Sequence, residues 1–104
     1  MKIQLNTDSN VTGSEELRAS LTSLISDELS RFDSNITRLE VHLSDENGHK
    51  GGQNDKRCML EARIEGRQPI AVTSHADSNE QAVTGAIGKL KSSLTKIQGR
   101  LKNY

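Results

Sequence analysis

The chain has 104 residues, with 14 acidic and 14 basic side chains for a formal net charge of zero, and 32% of it is hydrophobic. That length suits one domain, residues 1–104, with a real but modest core. The single cysteine, Cys58, excludes an internal disulfide and suits a reducing compartment, and no apolar run is long enough for a signal peptide or a membrane span, so the expected address is cytoplasmic. Phe32 and Tyr104 are the only residues among Phe, Tyr and Trp, which removes the stacking platform that many single-strand RNA binders use.

KIQLN at 2–6 alternates, with Ile3 and Leu5 on one side and Lys2, Gln4 and Asn6 on the other, the pattern of a half-buried strand. TDSNVTGS follows as turn chemistry, with Thr12 or Ser14 placed to cap a helix. Leu17, Leu21, Leu24, Ile25, Leu29 and Phe32 then recur at steps of three and four, which predicts one amphipathic helix over about residues 15–32, ended by Asp33-Ser34-Asn35. ITRLEVHLS alternates again, with Leu39, Val41 and Leu43 inward. After a long loop, RCMLEARIE places Cys58, Leu60, Ala62 and Ile64 inward. GRQ makes a tight connection to a fourth strand carrying Ile70 and Val72. Pro69 cannot donate to a ladder, so this strand starts there or lies at an edge.

Ser78 with Gln81 reads as a capping box, with Asp77 and Glu80 as a competing one. Val83, Ile87, Leu90, Leu94, Ile97 and Leu101 form a second long stripe. Gly85 and Gly88 lower its helix propensity by about 1 kcal/mol each relative to alanine, and would allow close packing against a neighbour. The order is β-α-β-β-β-α. Each strand has one apolar face, so the expected fold is α+β: a four-stranded mixed sheet with two helices packed on one face. Charge suggests the register of the central hairpin. Setting Arg38 against Glu65, Glu40 against Arg63 and His42 against Glu61 makes a ladder of opposite charges; the alternative opposes Arg38 to Arg63 and Glu40 to Glu61. Like charges directly opposite are unfavourable, which favours the first.

The stretch HLSDENGHKGGQNDKRC at 42–58 gathers potential metal ligands: His42, His49, Cys58 and Asp45. Structural zinc needs about four donors converging on one point, whereas the strand pattern puts His42 and Cys58 on opposite sheet faces. No paired ligand motif or calcium-loop spacing occurs, so no metal and no cofactor are assigned. Cys58 reads as a small core residue. No phosphate-binding Gly-Lys motif or nucleophile elbow is present, and His75 near Asp77 has no nucleophile fixed beside it; no catalytic residue is assigned. A small metal-dependent enzyme built on this loop ranks last among the readings. Lys50, Lys56 and Arg57 could meet phosphate, diluted by neighbouring acids.

The neutral total conceals a gradient. Residues 1–35 carry three bases and six acids, residues 36–80 six bases and eight acids, and residues 81–104 five bases and no acid. With Leu90 at zero on a helical wheel, Lys89, Lys96 and Arg100 fall near about −100°, −120° and −80°, and Lys91 and Lys102 near about +100° and +120°. The last helix therefore has two basic flanks beside its buried stripe, the stronger one about 16 Å long. Lysines also favour helix C-termini through the macrodipole, but no local acid cancels this field.

The closing run AVTGAIGKLKSSLTKIQGRLKNY, together with the element order, resembles the ribosome hibernation-promoting factors, also called ribosome-associated inhibitor, ribosomal subunit interface or sigma-54 modulation proteins. Ala82-Val83 stands where the family usually has Ala-Ile. Lys89-Leu90, Leu94, Lys96 and Leu101-Lys102 match its pattern, and SEELR at 14–18 resembles the start of its first helix. The resemblance implies a non-enzymatic monomer that binds the small ribosomal subunit in the channel used by tRNA and mRNA, contacts 16S rRNA phosphates, and blocks translation in starved or stationary cells, with no membrane or small-molecule partner. Carried over by position, Lys89 and Lys96 are the best contacts and Lys102 matches a basic tail position; Lys91 and Arg100 rest on helix geometry. The competing expectation is a protein-interaction module that uses its sheet edge or charged sheet face.

Overall fold

A computed structural model of the chain describes residues 1–8, 15–45 and 55–102, with side chains as far as Ile97. The elements are β1 (Lys2–Thr7), α1 (Glu15–Glu28), a 3-10 turn (Ser30–Phe32), β2 (Ile36–Asp45), β3 (Lys56–Ile64), β4 (Ile70–Ala76) and α2 (Asn79–Lys102). The sheet order is β1-β2-β3-β4, with β1 parallel to β2 and the other pairs antiparallel, so the fold is the expected α+β mixed sheet with two helices. The inward strand residues and the apolar stripes of both helices form a single core cluster. Phe32, its largest member, is wholly buried. The Arg31 guanidinium lies 4.6 Å from the Phe32 ring centroid and donates at 3.0 Å to Thr95 of α2, which ties the end of the first helical segment to the second helix.

Several local expectations meet their physical causes here. The Ser78 hydroxyl accepts from the Gln81 amide at 3.1 Å, so Ser78 starts α2. Gly66 has φ 74, the left-handed conformation that glycine adopts without strain, and the Arg67 amide closes that turn on the Ile64 carbonyl. β4 both begins after Pro69 and lies at an edge. A Cβ on Gly85 would collide with the Ser74 side chain of β4, so this glycine does set a close approach, whereas Gly88 faces open space. The first helix is shorter than its stripe: its α-helical part ends at Glu28, and Leu29 and Phe32 reach the core through the 3-10 turn. The expected caps Thr12 and Ser14 lie outside the described residues.

The central hairpin adopts the register that charge pairing disfavoured. Arg38 is opposite Arg63 and Glu40 opposite Glu61, while His42 faces Met59. Two observations account for this. Each strand neutralises its own charges two residues apart, with Arg38 3.1 Å from Glu40 and Arg63 3.5 Å from Glu61. The same register also places Asp45 opposite Lys56 at the hairpin mouth, where they form a partly buried 2.7 Å ion pair, joined by buried Asp55 at 3.5 Å. A pair shielded from water outweighs exposed surface charges, which contribute little either way. At the other end of the hairpin the register shifts between Ile36 and Arg38, with the Thr37 hydroxyl donating to the Arg63 carbonyl at 3.1 Å. This bulge lets Ile36 and Leu39, three residues apart, both point into the core.

Candidate nucleic-acid interface

α2 lies along the sheet between two neighbours, and its basic flanks meet different surroundings. One flank leans over β4, the edge strand. Lys89 is exposed and donates to the Thr73 carbonyl at 2.6 Å. A carbonyl is a dipole and cancels no charge, and two of the three ammonium hydrogens remain for other acceptors. Lys96 lies seven residues on, about two turns or 10 Å along the same flank, and is exposed. Among the described residues no carboxylate pairs with Lys89 or Lys96. The only acid in the first turn of α2 is Glu80, nine residues before Lys89.

The opposite flank faces α1. Lys91 forms a 2.5 Å ion pair with Glu28, with side-chain exposures of 36% and 45%. Glu28 closes a helix whose last turn holds no base, an unfavourable place for a carboxylate in the helix dipole. Lys91 supplies the missing positive charge from across the helix pair. The backbones of Arg100 and Lys102 continue α2, and their side chains lie outside the described residues. Of the five sequence-derived positions, Lys89 and Lys96 thus form an uncancelled row, and Lys91 is occupied by a structural partner.

Of the stretch that invited a metal reading, residues 42–45 belong to the end of β2 and 56–58 to the start of β3, and residues 46–54 lie outside the described residues. Cys58 is inward and wholly buried, opposite Leu43, and burial pushes its thiol up to about 12. His42 faces outward on β2, opposite Met59, so the two candidate ligands are separated by the sheet. Asp45 is buried at the end of β2 and engaged by Lys56, whose ammonium the Asp45 hydrogen bond holds above its ordinary value of 10.5. Lys56 is therefore engaged within the fold by Asp45 and Asp55. His49 and Lys50 lie outside the described residues. Among the described residues no three His, Cys, Asp or Glu side chains gather as a metal site.

Sequence reasoning missed Arg18. From α1 it donates to the Leu5 carbonyl at 3.1 Å, on β1, the other edge strand. Each free edge of the sheet thus has a carbonyl engaged by a cation from the overlying helix: Arg18 on β1, Lys89 on β4. Nothing local in the sequence signals contacts made across 13 and 16 residues.

The chain matches the sequence profile of a family described as sigma 54 modulation protein / S30EA ribosomal protein, over residues 6–102. Among solved structures it is similar to a ribosomal subunit interface protein from Coxiella burnetii, with 20% identity, 95% of this chain and 99% of that one covered, and a TM-score of 0.74. It is also similar to the Protein Y N-terminal domain of Thermus thermophilus, with 17% identity, coverages of 93% and 99%, and a TM-score of 0.68. At these identities the two structures speak for the fold. A comparison with curated proteins gives no match. The profile, spanning nearly the whole chain, carries the assignment: the chain belongs to the sigma 54 modulation protein / S30EA ribosomal protein family.

Proposed function

We propose that this protein is a non-enzymatic, single-domain factor of the cytoplasm that binds the small ribosomal subunit as a monomer, through 16S rRNA phosphates, and inhibits translation by occupying the path of tRNA and mRNA. The observation that carries the reading is the pair Lys89 and Lys96, exposed on one flank of α2 with no carboxylate cancelling either among the described residues. Family membership supplies the ribosome as partner. Lysines at such a flank act as point charges on phosphates: each contact displaces condensed counterions, so binding is driven by ion release and tracks backbone shape rather than base identity. Arg100 and Lys102 would extend the row along the final turns of α2, and Lys91 would contribute only after leaving Glu28.

The interaction-module reading has less support. Free strand edges recruit partners by adding a strand, but the Leu5 and Thr73 carbonyls of the two edges are already engaged. Cosedimentation with purified small ribosomal subunits, with deacylated tRNA as competitor, tests the main proposal. The expected result is binding that tRNA reduces and that falls steeply between 50 and 200 mM salt. Binding that ignores both competitor and salt contradicts it.

A further inference from the structure

The register of the central hairpin has an electrostatic consequence on the sheet face away from the helices. It sorts the outward side chains into transverse rows: Lys2, Arg38 and Arg63 in one, Gln4, Glu40 and Glu61 in the next, Asn6, His42 and Met59 in the third. Adjacent strands are about 4.8 Å apart, so the first row sets three cations across about 10 Å. We propose that this row, Lys2–Arg38–Arg63, is a second contact for an RNA phosphate backbone, so that the domain is gripped on both sheet faces by a partner walled with phosphate on two sides. The inference rests on the reading of RNA as the partner of α2 and adds a site to it.

Exposure favours the bases over the acids. Arg63 is 56% exposed against 29% for Glu61, and Arg38 is 41% exposed against 23% for Glu40, so each arginine offers solvent a larger share of its side chain than its acid does. Gln4 and Glu40 both accept from Arg38, which holds it in the row. The outward strand positions carry four bases, Lys2, Arg38, Arg57 and Arg63, against the two acids Glu40 and Glu61, in a chain whose total charge is zero. The turn beyond the row adds one charge of each sign, Glu65 and Arg67, and the N-terminal ammonium beside Lys2 is taken by Asp33. The two arginines are already paired with Glu40 and Glu61 on their own strands, so a polyanion lying across the strands competes for exposed pairs that contribute little, and Arg is the side chain best shaped to grip phosphate oxygens with two N–H groups.

Binding to purified small ribosomal subunits, titrated with potassium chloride, tests the row. Lys2→Gln with Arg63→Gln is expected to bind about tenfold more weakly, with the slope of log affinity on log salt shallower by roughly 1.5. Glu40→Gln with Glu61→Gln is expected to bind at least threefold more tightly, a gain that misfolding cannot imitate. Glu15→Gln with Glu16→Gln makes the same charge change at the start of α1, outside the row, and should leave binding within twofold of wild type. Wild-type binding by both sheet variants, or an equal gain from the α1 control, overturns the inference. If Lys89→Gln with Lys96→Gln weakens binding while the sheet variants do not, the α2 reading stands and the row falls. The reverse pattern removes the α2 reading and keeps the row.

Discussion

The two flanks of α2 look alike in sequence and differ in the fold. Lys89 and Lys91 sit either side of Leu90, each next to the buried stripe. Lys89 reaches over the β4 edge to a carbonyl and keeps its charge uncancelled; Lys91 reaches α1 and is neutralised by Glu28. Helical spacing states which side chains share a face, but the neighbour across that face decides whether a charge remains available. The β4 edge offers backbone dipoles, whereas α1 offers a carboxylate that needs a cation. One flank therefore keeps its charge available, and the other braces the two helices.

The largest expected effect separates the flanks directly. Lys89→Glu with Lys96→Glu should weaken binding to small ribosomal subunits by roughly 100-fold or more, since two charge-assisted contacts are lost at about 1.5–3 kcal/mol each. Lys91→Glu, measured in the same titration, should change affinity by less than about fivefold and instead lower the unfolding free energy, because it sets a second carboxylate beside Glu28. Equal losses of binding from the two variants would erase the distinction between the flanks.

The seating of α2 on β4 gives the next largest effect. Gly85→Ala drives a methyl group into the Ser74 side chain; the overpacking cost of about 1–3 kcal/mol is offset by about 1 kcal/mol of helix propensity, so chemical denaturation should show a net loss of up to about 2 kcal/mol. Because Ser74 adjoins Thr73, the acceptor for Lys89, the same variant should also weaken ribosome binding. Gly88→Ala meets open space and should stabilise by up to about 1 kcal/mol through helix propensity, with binding unchanged. Destabilisation by both substitutions would show that α2 is not seated as described.

The smallest effect is the release of Lys91. Glu28→Gln frees the ammonium, and binding should strengthen about two- to threefold, with a salt slope steeper by about 0.7–0.9. Its cost in stability should stay below about 1 kcal/mol, because both partners are more than a third exposed. An unchanged slope would show that this flank does not reach phosphate even when free.

The strand pattern, the α2 stripe and the Ser78 cap were legible because each is written in residues close in sequence. The hairpin register was not. Both candidate registers differ by an even shift and keep Leu39, Val41, Leu60 and Ala62 inward, so the apolar pattern is silent between them. Cross-strand charge pointed the wrong way because Arg38 and Arg63 find acids on their own strands, and because the decisive pair, Asp45 with Lys56, lies just beyond the alternating runs 36–44 and 57–65 that the sequence marks as strands. At the site, Lys89 and Lys96 could be placed on one face from spacing alone. The fate of Lys91 could not, since Glu28 lies 63 residues away. That mistaken register also concealed the arginine row, which exists only when like charges stand opposite each other.

The most direct test of the central claim is a structure of the protein bound to the small ribosomal subunit, at a resolution that places lysine side chains. The account predicts the Lys89 and Lys96 Nζ atoms about 2.7–2.9 Å from rRNA phosphate oxygens, with the Lys91–Glu28 pair intact on the far flank. An α2 whose Lys89–Lys96 flank faces solvent, or rests on protein rather than RNA, would contradict it.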